Sequence, residues 1–393
     1  MARRIKVGLV GLGSLAQRSL LPHLACPDAL ERVAPVALCD VAPGRARALA
    51  GRYGWLEAYD DLDDLLRRAD VEAVLLATPI PLHAAQALAA LRAGKHVYVQ
   101  KTMATTLSGA DAVVEAAEAA GLTVVASPGQ MLHPLHRQLR ALIGSGALGK
   151  VHWAFGANAG GAHEHEPIRA GPGELSELDP TWYYKAGGGP VYDATVYSLH
   201  ALTGILGPAR AVAALSGVAL GRRRWRGREI EVEVDDNTLM LLDFGGGTFA
   251  VAGGHSLAAR EGVATGRLAF FGGEGTVEAV FAADDALAQA GSLAGVEVAA
   301  PRALAGTLGF AGGTFVAQGG GDAPHVVGAH RALPEPHAYA DVMHLVDCLA
   351  DGSPPGARAR HARHVVEIIE AAYRAARTGQ RQALATTFEA PVE

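Results

Sequence analysis

The run VGLVGLGSLAQ places Gly8, Gly11 and Gly13 at the end of the first apolar stretch, with Ala16 just beyond. G-x-G-x-x-A in that setting is dinucleotide chemistry: Gly11 permits a tight turn, Gly13 lets the backbone approach a pyrophosphate, and Ala16 lets helix and strand pack closely. Ser14 and Leu15 lie where a helix begins, with Ala16 opening it, and its unpaired N–H groups and positive dipole end face the phosphates. The next apolar stretch, VAPVALC, ends in Asp40, 24 positions after Ala16. A carboxylate there accepts hydrogen bonds from an adenosine ribose diol and repels a 2′-phosphate, which favours NAD over NADP. Arg45 and Arg47 weaken that preference. The competing readings are glycines that only shape a turn and a solvated loop acid.

Lysine is scarce in this chain: Lys6, Lys95, Lys101, Lys150 and Lys185 stand against 29 arginines. Lys101 follows the apolar HVYVQ, at the end of a parallel strand where ligands of such sheets bind, and lysine changes its pKa readily on burial. The plain alternative is a surface lysine at a strand end. Thr78, Pro79 and His83 in TPIPLH occupy a strand-to-helix turn near the expected nicotinamide end, where His83 has a structural role beside the cofactor. HEHE at His163–Glu166 reads as extended backbone with His163 and His165 on one face. With a further carboxylate or His200 the pair would ligate zinc or manganese; equally, it would hydrogen-bond sugar hydroxyls. Without an H-E-x-x-H helix the expectation is substrate binding and no metal. Trp182 and Tyr183 offer stacking faces to a sugar ring, or pack ordinarily.

Strands and helices alternate from Ile5 to about Ser127, the pattern of a parallel sheet. The strands are Ile5–Val10, Val33–Cys39, Ala73–Ala77, His96–Val99 and Thr123–Ala126; the helices are Leu15–Ala25, Gly44–Arg52, Leu82–Ala93 and Gly109–Ala120. Gly94 and Gly121 stand where C-cap glycines belong. After Gly129 the alternation stops. Apolar stretches at Val151–Ala157, Ala211–Val218, Glu229–Phe244, Thr248–Gly253, Arg267–Phe271 and Gly275–Phe281, broken by FGGGTF and FGGEGT, indicate a mostly antiparallel sheet. The stretch from Leu287 to Gly328 reads as irregular strand and loop, and two helices, His337–Ala350 and Ala359–Thr378, close the chain. The expected fold class is α/β: a doubly wound Rossmann domain over residues 1–128, then an α+β substrate-binding and oligomerisation domain over residues 129–393, with closing helices at about 337–378.

The 393 residues exceed one ordinary core, which stops growing near ~250–300 residues. Half of them are hydrophobic and 19% charged, which excludes a disordered or coiled-coil chain. A net charge of −6 leaves no global positive field for nucleic acid or an anionic membrane, and RRRWRGR (Arg222–Arg228) is only a local basic turn. Cys26, Cys39 and Cys348 lack C-x-x-C spacing and read as buried small hydrophobes. Neither a secretory leader nor a membrane span is legible, so the expected compartment is the cytoplasm. An open apolar sheet face predicts a homodimer or homotetramer through that face.

Five segments carry a family resemblance: GLVGLGSLA, AVLLATPIPLH (Ala73–His83), AGKHVYVQKTMA (Ala93–Ala104), GGGPVYDATVYSLHALTGILG (Gly187–Gly207) and AYRAARTGQ (Ala372–Gln380). Together they resemble the Gfo/Idh/MocA oxidoreductases, the family of glucose-fructose oxidoreductase and inositol dehydrogenase. The resemblance implies hydride transfer between NAD and a carbon of a sugar, glycoside or cyclic polyol. It places Gln100, Lys101 and Thr102 where the family has Glu-Lys-Pro. The change removes a charge partner of the lysine and an imposed φ of about −65°. It also places Asp193, Tyr197 and His200 on the family's helical D-x-x-x-H-x-x-D pattern, with tyrosine in place of histidine and histidine in place of the second acid. Tyrosine serves as the acid/base in some members. Lys101, Asp193, Tyr197 and His200 are thus implied around the reacting carbon.

The residues of that helix agree with such a site. Three glycines lead in, Pro190 suits a first turn, and positions 193, 197 and 200 fall at i, i+4 and i+7 on one face. Asp193 and His200 then start about 10 Å apart along the axis, so Tyr197 between them is the better proton carrier. A tyrosine with pKa near ~10 is a poor base at neutral pH unless a cation such as Lys101 favours the phenolate. Two rival readings stand beside the dehydrogenase: an NAD-dependent glycosidase using transient oxidation, and a non-catalytic NAD- or sugar-sensing regulator of the same fold.

Overall fold

The computed structural model of the chain describes residues 3–157, 162–170, 174–256, 267–280, 295–299, 314–315 and 324–389. Most of the stretch expected to be irregular, Leu287–Gly328, lies outside the described residues; within it Gly295–Ala299 and Thr314–Phe315 are strands. Two compact units form. One comprises residues 1–129, 172–178 and 324–363, and the other residues 130–171, 179–323 and 364–393.

The first unit carries a six-stranded parallel sheet of β1 (Ile5–Val10), β2 (Val33–Cys39), β3 (Glu57–Tyr59), β4 (Ala73–Leu76), β5 (His96–Val99) and β6 (Val124–Ala126). Its order is β3-β2-β1-β4-β5-β6. The interior strand β4 is buried at every position, as a strand covered on both faces must be. The chain order reverses between β1 and β4, and the crevice outside the strand ends at such a switch point is where ligands bind in doubly wound sheets. Helix ends follow local chemistry: Thr106 Oγ1 accepts the Gly109 N–H to start Leu107–Ala120, and Gly121 at φ 64° ends it.

The helix Pro336–Asp351 also belongs to this unit. Its Asp341 is buried, and one carboxylate oxygen accepts the Ser127 hydroxyl at 2.7 Å and the Gly129 N–H at 3.1 Å. Burial outweighs these bonds and pushes Asp341 up to about 7. A carboxyl raised in the folded state holds a proton that the unfolded chain has lost, so its contribution falls as pH rises from about 4 to about 7. Asp341→Asn keeps an oxygen for both donors and removes the titration. Between pH 5 and pH 8 the wild type is expected to lose about 3 kcal/mol relative to this variant in denaturant unfolding, and equal losses in both proteins would refute the assignment.

Among the described residues the second unit carries a sheet of nine strands in the order β16-β15-β14-β13-β7-β12-β11-β8-β17. These are β7 (Val151–Ala157), β8 (Ala211–Gly217), β11 (Asn237–Gly245), β12 (Thr248–His255), β13 (Arg267–Gly272), β14 (Thr276–Val280), β15 (Gly295–Ala299), β16 (Thr314–Phe315) and β17 (Gln382–Ala383). All neighbours are antiparallel except β7 and β12. The single stretch expected over Glu229–Phe244 is two strands, because Arg222–Trp225 (β9) and Arg228–Glu231 (β10) form a separate hairpin turning at Arg226 and Gly227, both at positive φ. In β11 burial alternates, with Met240 and Leu242 inside and Leu239 and Leu241 outside. Leu215, Phe249 and Trp153 are exposed on neighbouring strands, which makes an apolar open face.

Candidate active site

The loop after β1 is shaped by close approach. Gly11 has φ 86°, its N–H donates to Cys39 O at 2.9 Å, and a Cβ on it would lie 2.7 Å from the Ala77 carbonyl carbon and oxygen and from Thr78 Cγ2. No L side chain fits there. Gly13 is the opposite case, since a Cβ on it would meet nothing within 4 Å. The helix opens at Ser14 and passes through a π-helical turn, Ala16–Leu20. Asp40 is buried at the end of β2; its carboxylate accepts the Leu12 N–H at 2.7 Å and the Ala42 N–H at 2.8 Å, and Arg45 donates to it at 3.1 Å. One end of this carboxylate thus braces the glycine loop itself, and Arg45 partly neutralises it.

A dinucleotide fits this half. Open space stands where Gly13 lacks a side chain, and two buried polar atoms, Ser14 Oγ and Gln100 Nε2, have no hydrogen-bond partner among the described residues. Such atoms in native structures mark a missing ligand or water.

Lys101 is half-buried beyond β5, and its peptide bond to Thr102 is cis. Gln100 Oε1 accepts the Lys101 N–H at 2.8 Å, so the residue in the family's glutamate position shapes the backbone of the lysine. His83 is buried with Nδ1 2.8 Å from Thr102 O and Nε2 2.8 Å from Thr78 O, tying the loop after β4 to the loop after β5. Burial pushes this imidazole down, and the Lys101 charge adds to the effect. His337, which sequence reasoning did not single out, lies close enough to Lys101 to feel it. Burial, Lys101 and Arg18 together push it down to about 3, so it stays neutral beside the ammonium. Residues 101 and 337 lie far apart in the chain, and no spacing signal links them.

In the second unit the helix of Asp193 begins with a π-helical turn, Val191–Thr195, and becomes α-helical over Val196–Leu206. Along it the three expected residues differ in burial. Asp193 and Tyr197 are half-buried, whereas His200 is buried near His364, and burial pushes it down to about 3. The reason is composition: VYSLHALTGIL is apolar nearly all round and sinks into the interior.

The histidine-rich segment is a 3-10 turn, His163–His165, rather than extended backbone. His163 and His165 consequently part. His163 Nε2 lies 3.1 Å from Asp193 Oδ2, while the His165 side chain is 71% exposed. Tyr183 is 1% exposed and stacks on His163 with ring centroids 3.9 Å apart, so its face is covered by the histidine and not offered to a sugar. Trp182, half-buried, meets both rings edge-on. Gly188 fixes this arrangement, because a Cβ there would lie 2.3 Å from Tyr183 O. Below the turn, buried Glu164 accepts the Tyr184 hydroxyl and faces Arg223 at 3.6 Å. Arg223, read from the sequence as part of a basic turn, is thus a structural cation. The dyad of His163 and Asp193 was not legible either, since its members lie 30 positions apart.

The family model described as oxidoreductase family, NAD-binding Rossmann fold, matches residues 5–127, and that of the GFO/IDH/MocA C-terminal domain matches residues 136–278. Among curated proteins, a dTDP-3,4-didehydro-2,6-dideoxy-alpha-D-glucose 3-reductase of Streptomyces violaceoruber is 32% identical over 38% of this chain and 42% of its own length. An inositol 2-dehydrogenase of Salmonella typhimurium is 34% identical over 37% of this chain and 43% of its own length. The matched stretch thus spans less than half of each of these two relatives. Among solved structures, levoglucosan dehydrogenase in complex with NADH and levoglucosan superposes with a TM-score of 0.77 at 20% identity, covering 97% of this chain and 100% of that one. Aldose-aldose oxidoreductase from Caulobacter crescentus gives 0.72 at 24%, with 97% and 100% covered. At these identities the likeness is one of fold.

Proposed function

The chain belongs to the Gfo/Idh/MocA oxidoreductase family, with its NAD-binding Rossmann fold, and from that premise we propose that it oxidises or reduces a CH–OH carbon of a sugar, glycoside or cyclic polyol. The observation that carries the reading is the β1 loop: Gly11 without room for a side chain, Gly13 facing open space, and Asp40 braced on Leu12 and Ala42. The carbohydrate class rests on the relatives, which include an inositol 2-dehydrogenase and a reductase of a dTDP-linked sugar.

NAD, when bound, accepts or returns a hydride. The chain's own residues handle the proton. In the reducing direction the Tyr197 hydroxyl donates its proton to the substrate oxygen; in the oxidising direction the Tyr197 oxygen accepts it. Lys101 supports the anionic oxygen of this exchange by its charge. Asp193, held by His163, orients a substrate hydroxyl, and His165 and Trp182 contribute to the sugar subsite. Neutral, buried His200 holds the helix, and Tyr183 holds His163. Gly11, Gly13, Ser14 and Leu15 bind the pyrophosphate, Asp40 the ribose, and Thr78, Pro79, His83 and Gln100 line the nicotinamide side. A second copy of this chain covers the apolar face around Leu239, Leu241 and Phe249, giving a homodimer or homotetramer. Among the described residues no helix is long and apolar enough to cross a membrane.

A panel of aldoses, inositols and glycosides with NAD tests the reading through the absorbance of the reduced cofactor. Turnover on at least one polyol or sugar supports it. Release of an aglycone without net reduced cofactor would instead identify a glycosidase, and nucleotide binding without any turnover would identify a sensor.

A further inference from the structure

Away from the glycine loop, the first unit holds a chain of groups that the redox chemistry does not use. Cys26 stands at the N-cap of the short helix Pro27–Arg32, and Asp28 lies in its first turn. His330 comes from the 3-10 turn Gly328–Ala332. Its Nε2 lies 3.1 Å from both Asp28 carboxylate oxygens, its Nδ1 lies 2.7 Å from Nδ1 of His23, and Nε2 of His23 lies 3.2 Å from Pro334 O. Tyr339 stacks on both rings, at 4.8 Å from His23 and 4.2 Å from His330.

The protons in this chain do not balance for two neutral rings. The carboxylate and the carbonyl accept only, so the three contacts call for three ring protons where two neutral imidazoles carry two. A third proton would make an imidazolium of a ring that is 0% or 1% exposed, with the Asp28 carboxylate as its counter-ion, and a divalent ion can take that proton's place. A divalent ion between His330 Nε2 and Asp28 removes the conflict. His330 Nδ1–H then donates to His23 Nδ1, and His23 Nε2–H donates to Pro334 O, the usual means of orienting a metal-bound histidine through its second nitrogen.

A third ligand is in place. The ligand atoms of Cys26, Asp28 and His330 all lie within 4.8 Å of one another. Tetrahedral zinc sets such atoms about 3.3–3.8 Å apart, so the His330 and Asp28 pair opens slightly from 3.1 Å while Cys26 closes in, changes that the half-buried Cys26 and exposed Asp28 side chains can make by rotation. We propose that Cys26, Asp28 and His330 bind one zinc-class divalent ion, with His23 orienting His330 and water in the fourth position. Thiolate, imidazole and carboxylate together suit zinc rather than magnesium or calcium. Binding releases the thiol proton and the proton between His330 and Asp28. The ion joins residues 302 positions apart, so it clips the His330 turn onto the N-terminal helix. In sequence the three ligands show no spacing signature.

The test uses the full chain dialysed against chelator and then given zinc or cobalt chloride. The expected result is one zinc retained per chain after desalting, a higher melting temperature, and a thiolate-to-cobalt charge-transfer band that Cys26→Ser abolishes. The double variant Cys26→Ser, Asp28→Asn, with far-ultraviolet circular dichroism to verify its fold, is expected to bind zinc at least about tenfold more weakly. No retained zinc, a cobalt complex without the thiolate band, or undiminished uptake by the double variant would each overturn the site. If the double variant does not fold, the cobalt band of Cys26→Ser alone decides.

Discussion

Tyr197→Phe is expected to lower turnover by ~10²-fold or more while leaving NAD affinity unchanged. Moving a hydride to or from an alcohol carbon requires moving a proton at the attached oxygen, and a positioned general acid or base contributes typically ~10²–10⁴-fold. The variant removes only the oxygen. Its ring keeps the shape of a half-buried side chain on Val196–Leu206, so the fold survives the change. The other titratable groups of residues 191–206 do not replace it, since burial pushes the Tyr192 phenol up, further from use as a base. His200 is buried and pushed down to about 3, and Asp193 is engaged by His163 at 3.1 Å. Steady-state rates with a responsive sugar, together with calorimetric titration of NAD, measure both halves. An unchanged rate would remove Tyr197 from the chemistry.

Gly11→Ala is expected to weaken NAD binding by roughly 10²-fold or more, and Gly13→Ala to weaken it without loss of stability. The two glycines differ in what a methyl group would meet. At position 11 it would lie 2.7 Å from Ala77 backbone atoms, at a φ of 86° that L residues rarely adopt. The strain of that conformation costs about 1–2 kcal/mol and overpacking about 1–3 kcal/mol, so the loop moves and its N–H groups no longer face the phosphates. At position 13 the methyl enters open space and clashes only with what binds there. Melting temperatures and NAD titrations of both variants separate these effects. A Gly13→Ala protein with full NAD affinity would show that the pyrophosphate lies elsewhere.

The nucleotide half is the more legible in sequence because each of its signals is local. β1, β2 and β5 have the expected bounds, since an apolar run ending in glycine, aspartate or a lysine turn is read from adjacent residues. β3 is three residues long at the sheet edge, and Glu57–Tyr59 has no periodicity to detect. The second unit depends on pairs distant in the chain. His163 meets Asp193 and stacks on Tyr183, whose turn packs closely against Gly188, and the sequence instead suggested an extended HEHE with converging histidines. The π-helical turns after both glycine loops likewise leave no compositional mark.

Transfer of deuterium tests the central claim most directly. Sugars and inositols deuterated at carbon are incubated with the protein and NAD, and the cofactor is analysed by mass spectrometry. The account predicts one deuterium in the reduced nicotinamide from at least one substrate, with the label reduced together with turnover in Tyr197→Phe. Tightly bound NAD that stays oxidised and unlabelled across the whole panel would contradict it.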